Sequence, residues 1–352
     1  APSPAASPPP GGPSGPAGEL WEGLRAEEGG RRMTLTRLRA MDGVLGDDVK
    51  VDEKQFYAVQ LRLNDRGLST PFVIDTAASA SIVTPSFASK VNAKSTGVTA
   101  TVGGGTSTSG GLQQVMLGGV SIEGDGCTIP LNSMMPIAME LPVPAHVGGL
   151  LGLDLLVRMG LVVISFPASQ ALSFDTPPSR ESARTFLLQH KLREVPLFYL
   201  PPPAGLFSIK VKLSKGGKEG SVLPAIVDMG STFTIVNWAA VRELGLSEAS
   251  PEVVKTPQVV SGAAAPGMGY TRVQVHETSV GIKVGGVKGE GAFSVGKHKL
   301  CVADIAAFQG LGIGGGPAMI IGLDLLAQSQ SSAEGVVAFA FDEKRMWFGG
   351  ES

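Results

Sequence analysis

The sequence contains one short pattern twice, and each copy centres on an aspartate. The first copy reads PFVIDTAASASIVT over residues 71–84, and the second reads PAIVDMGSTFTIVN over residues 224–237. In both copies an Ile-Val pair stands seven and eight residues after the aspartate. An apolar run followed by small residues is typical of a buried strand that ends in a tight turn. The pattern therefore predicts that Asp75 and Asp228 lie at the ends of rigid strands.

The repeat continues beyond the two aspartates. The segment LLGLDLL at residues 150–156 is matched by IIGLDLL at residues 320–326, and an apolar hairpin is predicted after each. Three matched blocks in the same order indicate two copies of one structural unit. Asp154 and Asp324, within these blocks, are predicted to be the N-caps of the short helices that follow them.

This order of blocks resembles that of the retropepsin-like and pepsin-like aspartic proteases, here in a tandem, two-lobed form over roughly residues 51–350. The resemblance implies an all-β, bilobal acid-protease fold, with two retropepsin-like β-barrel lobes related by a pseudo-two-fold axis. It also implies an aspartic endopeptidase in which Asp75 and Asp228 activate a water molecule to hydrolyse a peptide bond. Such a mechanism needs no cofactor and no metal, and its substrate is a polypeptide in extended conformation.

The residues beside the two aspartates are expected to support the pair. The family pattern is Asp-Thr/Ser-Gly, whereas this chain has Ala77 in place of the first glycine and Met229 in place of the second hydroxyl residue. In the family that hydroxyl ties one turn to the other, so Met229 predicts an under-braced pair with reduced activity, and Met229→Thr is expected to raise turnover. The predicted supporting residues are Thr76, Ala77, Gly230 and Ser231, whose hydroxyl is expected to bond the outer oxygen of the neighbouring carboxylate.

Two functions stay open on the sequence alone. The first is a peptidase, with activity lowered by the departures at positions 77 and 229. The alternative is a catalytically impaired, protease-like module that binds peptides or serves in assembly. An aspartate in a turn is often only a turn former, but two in repeat-equivalent positions argue against that reading.

A glycine-rich run in the first unit is expected to form the flap, the hairpin that closes over substrate in this family. Glycine suits a hinged backbone that approaches a ligand closely, and a plain flexible hairpin is the alternative. A second glycine-rich run, residues 261–269, is predicted to be the equivalent hairpin of the second unit. The predicted flap residues are Gly103, Gly104, Gly105, Gly110 and Gly111.

The predicted organisation is a low-complexity, disordered tail and extension at 1–50, an N-terminal retropepsin-like lobe at 51–178, a linker at 179–203 and a C-terminal retropepsin-like lobe at 204–350. Residues 1–17 are almost entirely Ala, Pro, Ser and Gly, a composition that cannot bury enough surface to fold. The segments LWEGLR and LTRLR that follow are predicted to be helical. The composition of the start is consistent with the remnant of an organellar targeting region, for example a plastid one.

Charge and composition restrict the partners. The 352-residue chain has 43% hydrophobic residues and a formal net charge of −2, which gives no basic surface for nucleic acid or anionic lipid. No apolar run reaches the ~18 residues of a membrane span, and a monomer is expected because both aspartates are in one chain. Cys127 and Cys301 precede matching blocks, so they are predicted to be separate, buried thiols in the two lobes.

Overall fold

The computed structural model describes residues 16–39, 55–63, 67–103, 108–141, 143–202, 204–260, 273–286, 291–327 and 335–349. In this part of the chain, strands predominate and form three sheets. Two sheets belong to two lobes, and the third joins them. The all-β, bilobal prediction is confirmed.

The chain order of the elements is as follows. The extension contains α1 (Pro16–Ala26) and β1 (Gly30–Thr34). Lobe one contains β2 (Thr36–Arg39), β3 (Gln55–Leu63), β4 (Leu68–Ile74), β5 (Ile82–Val83), α2 (Pro85–Lys90), β6 (Lys94–Gly103), β7 (Thr108–Glu123), β8 (Thr128–Met134), β9 (Ile137–Ala138), β10 (Gly149–Leu151) and α3 (Leu153–Leu156). Between the lobes lie β11 (Leu161–Ser165), β12 (Gln170–Phe174), α4 (Pro177–Gln189) and β13 (Leu192–Pro196).

Lobe two repeats this succession. It contains β14 (Phe198–Leu200), β15 (Leu206–Lys215), β16 (Lys218–Val227), β17 (Ile235–Val236), α5 (Trp238–Glu243), β18 (Val254–Val260), β19 (Val273–Gly285), β20 (Ala292–Val302), α6 (Ala306–Gly310), β21 (Met319–Ile321) and α7 (Leu323–Leu326). The chain closes with β22 (Val336–Ala340) and β23 (Arg345–Gly349).

The two lobe sheets have the same strand order. The order in lobe one is β2-β3-β4-β10-β5-β9-β7-β6, with β8 attached to β7, and in lobe two it is β14-β15-β16-β21-β17-β20-β19-β18. An additional pairing, β3 with β7 and β15 with β19, folds each sheet back on itself. Each aspartate follows a strand that pairs in parallel with the short strand of its Gly-Leu-Asp block, β4 with β10 and β16 with β21.

A six-stranded sheet, in the order β1-β12-β11-β22-β23-β13, joins the lobes. It is formed largely by the two predicted closing hairpins, β11–β12 and β22–β23. Strand β11 is apolar at consecutive positions because both of its faces are buried: Val162 and Ile164 contact the large core shared with the lobes, whereas Leu161 and Val163 contact a separate cluster. A strand buried on both faces has no need of polar alternation.

Residues 16–39 of the predicted extension form α1, β1 and β2, and one sequence prediction for this segment is wrong. LWEGLR lies in α1 as predicted, and the buried side chains of Leu20, Trp21 and Leu24 pack with α4 against the outer face of the six-stranded sheet. LTRLR is not helical, because most of it forms β2, which pairs with β3 and buries Leu38. Alternation of apolar and polar residues over so short a run fits a strand as well as a helix.

The prediction for the cysteines is correct in one respect and wrong in another. Cys127 and Cys301 are not joined by a disulfide. They do not occupy equivalent positions, however, because Cys301 pairs with Ile235 in lobe two, as Ile137 pairs with Ile82 in lobe one. Cys127 is also only half-buried.

Gly149 is expected to be essential for the packing of β10. A Cβ there would lie 2.9 Å from the Val83 Cα and 2.8 Å from the Phe72 ring, in a place where the neighbouring backbone cannot move away. We expect Gly149→Ala to lower the free energy of unfolding by about 3 kcal/mol, measured by urea denaturation. Gly118→Ala is the matched control, since a Cβ at Gly118 meets nothing within 4 Å. Equal effects of the two substitutions would contradict this packing.

Candidate active site

Strand pairing fixes the position of each predicted catalytic aspartate. The backbone amide of Asp75 donates a 3.0 Å hydrogen bond to the carbonyl of Leu151, and that of Asp228 donates a 2.8 Å bond to the carbonyl of Ile321. In both lobes the acceptor is the last residue of the parallel neighbour strand. Each aspartate is therefore held at the end of a strand inside its sheet, as the sequence predicts, rather than on a free loop.

The structure brings the two aspartates together. Their carboxyl groups lie within hydrogen-bonding reach of each other, and both residues are half-buried. The amide of Ala77 donates to Asp75 Oδ1 at 2.9 Å, and the amide of Gly230 donates to Asp228 Oδ1 at 2.8 Å. The amide of Ser231 donates a 3.3 Å bond to the main-chain carbonyl of Asp228.

Burial and mutual repulsion change the acidity of the pair. Removal from water raises the pKa of the Asp75 carboxyl, although the backbone donors partly offset this. The pKa of Asp228 is raised well above its ordinary value, first by burial and then by the charge of Asp75. Two carboxyl groups so close cannot both ionise easily, so the pair retains a proton at a pH where isolated aspartates have lost theirs. The proton belongs to the pair rather than to either residue.

Thr76 connects the two turns. Its side chain is buried, and its hydroxyl donates a 2.7 Å hydrogen bond to the carbonyl of Val227, the residue before Asp228. The same oxygen accepts a 3.0 Å bond from the amide of Met229. Thr76 therefore links the lobe-one turn to the backbone on both sides of Asp228.

The other predicted supporting residues differ in their contacts. The Ser231 hydroxyl donates to the carbonyl of Phe233 at 2.9 Å, so the predicted bond from this hydroxyl to Asp228 is wrong. The backbone amide of Ser231 bonds the main-chain carbonyl of Asp228. Ala77 has an ordinary backbone conformation, so its methyl group causes no strain at φ. Gly230 lies against the Asp75 carboxyl group, and a Cβ there would lie 2.6 Å from Asp75 Cγ.

The aspartates of the Gly-Leu-Asp blocks hold the far ends of the turns that follow Asp75 and Asp228. The prediction that they are N-caps is wrong, because α3 and α7 begin two residues earlier than predicted, at Leu153 and Leu323, with Gly152 and Gly322 as caps. Asp154 instead accepts hydrogen bonds from the amide and hydroxyl of Ser81, at 2.8 and 2.7 Å. The hydroxyl of Thr234 donates to Asp324 at 2.6 Å.

Ser81 and Thr234 are supporting residues that the sequence reasoning missed. Each stands six residues after its aspartate, is fully buried, and accepts a 3.0 Å bond from the cap glycine of the short helix in its lobe. The signal was present, since both copies of the repeat carry a hydroxyl at this position. The role of this hydroxyl can be recognised only when the Gly-Leu-Asp block is known to lie beside the turn.

The predicted flap is only partly described. Gly103 ends β6, Gly110 and Gly111 lie in β7, and these two strands pair as an antiparallel hairpin. Gly104 and Gly105 lie outside the described residues, as does the second glycine-rich run, residues 261–269. The backbone of Gly111 has a positive φ of 69°, which favours glycine.

Two further findings concern the described part of the chain. There, no three His, Cys, Asp or Glu side chains converge as a metal site requires. None of its helices combines the length and the apolar character of a membrane span.

Comparison with known proteins identifies the fold. No family model matches the chain, and no curated protein sequence matches it either. Among solved structures, the aspartic proteinase from Irpex lacteus superposes with a TM-score of 0.51 at 13% identity, over 92% of this chain and 98% of that one. The chain has the pepsin-like fold. Conglutin gamma, a basic 7S globulin from lupine seeds, and the basic 7S globulin from soybean each match with a TM-score of 0.48 at 13% identity, over 92% of this chain and 95% of theirs.

The turns that follow Asp75 and Asp228 are expected to differ in their tolerance of a methyl group. Gly230→Ala places a Cβ against the Asp75 carboxyl group, so we expect the free energy of unfolding to fall by about 1–3 kcal/mol. Ala77→Gly, the substitution at the matching position, removes a methyl group and is expected to cost no more than about 1 kcal/mol. Urea denaturation of both variants measures the difference. A Gly230→Ala variant as stable as the wild type would show that the turns are farther apart.

The raised pKa of Asp228 predicts a specific pH dependence of stability. When folding raises the pKa of a carboxyl group, the protonated group stabilises the folded protein. This stabilisation is complete below the pKa of the unfolded chain, about 4, and is lost as the pH rises through the pKa of the folded protein. Asparagine mimics the neutral form at every pH. We therefore expect Asp228→Asn to be more stable than the wild type at pH 7, with the difference disappearing towards pH 4.

Unfolding free energies at several pH values between 4 and 7 measure this. Asp175→Asn is the control, because Asp175 forms an exposed ion pair with Arg31, and exposed pairs contribute little. A wild type as stable as Asp228→Asn at pH 7 would show that Asp228 ionises without cost.

Proposed function

We propose that the chain is an aspartic endopeptidase formed by two retropepsin-like units in tandem. The observation that carries the proposal is the pair of half-buried carboxyl groups in mutual hydrogen-bonding reach, each at a strand end and each receiving backbone amide bonds. A turn former needs neither burial nor a second carboxyl group. The pepsin-like fold supports the same assignment.

The pair can perform general acid–base catalysis on a peptide bond. The ionised carboxyl group accepts a proton from a water molecule while the water oxygen bonds to the carbonyl carbon, and the protonated carboxyl group donates its proton to the carbonyl oxygen. The tetrahedral intermediate then breaks its C–N bond: the leaving nitrogen takes the proton from the protonated carboxyl group, and one hydroxyl of the tetrahedral carbon returns its proton to the ionised carboxyl group as it becomes the carbonyl of the acid product. One water is consumed, two peptide products leave, and the pair returns to its singly protonated state. The nucleophile is water, so no cofactor is required.

The proposed substrate is a polypeptide in extended conformation, bound between the lobes and beneath the β6–β7 hairpin. A single chain supplies both aspartates, so we propose that the monomer is complete. An extended peptide presents each amide bond in turn to a fixed pair of carboxyl groups, and residues on both sides of the bond then contribute binding.

The alternative is a protease-like module that binds peptides without cleaving them. It is favoured by the absence of a hydroxyl at position 229 and by the direction of the Ser231 hydroxyl, which bonds Phe233 rather than the carboxylate. The two functions share the cleft and differ in turnover.

Cleavage of an unstructured protein across pH 3–8 tests the proposal. We expect peptide products to be detected by mass spectrometry, with a maximum where the pair carries one proton. Asp75→Asn and Asp228→Asn are each expected to reduce the rate at least about a hundredfold. Asp175→Asn is the matched control and should leave the rate unchanged.

The same experiment decides between the two functions. A folded wild type that cleaves nothing, yet binds a peptide whose scissile amide is replaced by a hydroxyl-bearing tetrahedral carbon, would support the binding module. Cleavage that persists in both asparagine variants would exclude the pair as the catalyst.

A further inference from the structure

Met229 directly follows Asp228, and its side chain is buried in the other lobe. Only 1% of its surface is exposed. It lines an apolar cavity of about 20 Å³ with Ile74, Leu151 and Leu156 of lobe one and with Val162 of the six-stranded sheet. Among the described residues that line this cavity, Met229 is the only one from strands β14–β21 or the turns between them. The side chain therefore passes from the lobe-two turn into the core of lobe one.

The turn after Asp75 contacts lobe two through hydrogen bonds, whereas the turn after Asp228 contacts lobe one through an apolar side chain. Thr76 of the lobe-one turn reaches lobe two with a hydroxyl, which bonds the backbone on both sides of Asp228. Met229 of the lobe-two turn reaches lobe one with an apolar thioether chain. Ile74 and Thr76, the residues on either side of Asp75, line the same cavity as Met229, so the methionine packs beside the backbone that carries Asp75.

We propose that Met229 is a positioning residue that fixes Asp228 against Asp75 by docking the lobe-two turn into the apolar core of lobe one. Burial of a large apolar side chain is at least as favourable as one neutral hydrogen bond. Methionine is unbranched and adapts to an irregular space. The apolar contact of Met229 therefore attaches the lobe-two turn to lobe one, and the Thr76 hydroxyl attaches the lobe-one turn to lobe two.

This inference reverses the expectation from sequence for Met229→Thr. The sequence suggested that threonine would restore a missing hydrogen bond and raise turnover. In the structure, threonine would remove the thioether end of the buried side chain and enlarge an existing cavity whose lining is apolar except for Thr76, and the surroundings of such a site relax only in part. The loss of packing is expected to exceed the gain of one hydrogen bond.

Three substitutions at this position and one control test the proposal. Met229→Leu keeps an apolar side chain of similar volume, Met229→Ala removes it, and Met229→Thr replaces it with the hydroxyl residue of the family. Met346→Ala is the matched control: Met346 is also fully buried, but lies in β23 beside Val195 and Phe339 and does not line the cavity. It reports the effect of losing a core methionine away from the two turns.

The first readout is independent of enzymatic activity. Carbon-13 NMR of aspartate-labelled protein follows the titration of the two carboxyl groups, assigned with Asp75→Asn and Asp228→Asn. We expect Met229→Ala and Met229→Thr to shift the dyad titration towards the ordinary range of aspartate, because a loosened turn admits water. Met229→Leu should titrate as the wild type does, and Met346→Ala should lower the unfolding midpoint without moving the titration.

The second readout rests on the proposed function. If the wild type cleaves peptides, Met229→Ala and Met229→Thr should reduce kcat by about ten- to a hundredfold, as expected for a small misplacement of catalytic groups. Met229→Leu should stay within about twofold of the wild type. A wild type without activity would refute the peptidase but leave the titration to decide on Met229.

Three results would overturn the proposal. The first is a folded Met229→Ala variant whose carboxyl titration matches that of the wild type. The second is a Met346→Ala variant that moves the titration as much as Met229→Ala does, which would make the role of Met229 purely one of core packing. The third is a Met229→Thr variant with a higher kcat than the wild type, which would show that the hydrogen bond outweighs the apolar contact.

Discussion

The contact between the Asp75 and Asp228 carboxyl groups is the interaction that the rest of the structure must sustain. Two carboxylates at hydrogen-bonding distance repel each other, and burial makes their ionisation still less favourable. The contact is stable only if the two groups share one proton and if the backbone that carries them is held rigidly. The framework is provided by parallel strand pairing, which anchors the amide of each aspartate to the neighbour strand. Backbone amides of each turn then supply donors without any rearrangement, which is the arrangement that favours catalysis.

The support around the pair is symmetric in its backbone and asymmetric in its side chains. Both lobes repeat the strand anchor, the amide donors and the hydroxyl that links the turn to the Gly-Leu-Asp block. The side chains that cross between the lobes differ, with Thr76 polar and Met229 apolar. The backbone pattern follows from the strand order and repeats with it. Side-chain contacts between lobes are free to differ because each one meets a different partner.

Sequence reasoning predicted what local patterns determine. The strands that carry the aspartates, the closing hairpins and the helix α1 are encoded within short segments. The bilobal fold and the pair were predicted from the family resemblance that the repeated segments carry. The wrong predictions concern residues whose structure depends on contacts with segments distant in sequence. Asp154 resembles an N-cap until Ser81 is known to lie beside it, and LTRLR becomes a strand because β3 is available to pair with it. The sequence shows only that Met229 lacks a hydroxyl group. That its side chain fills apolar space in the core of lobe one is visible only in the structure.

The same contacts link the dyad to the segment before lobe one. The cavity that holds Met229 is lined by Val162 and Ile164 of β11 and by Met33 of β1, a strand in the predicted extension. The opposite face of β11 contacts the cluster that includes Trp21 of α1. A buried sheet transmits displacement because its interior is close-packed. Loss of α1 or β1 would therefore expose the outer face and one edge of the six-stranded sheet on which Met229 rests. The extension is thus part of the framework that holds Asp228 against Asp75, although the sequence repeat that encodes the two aspartates does not include it.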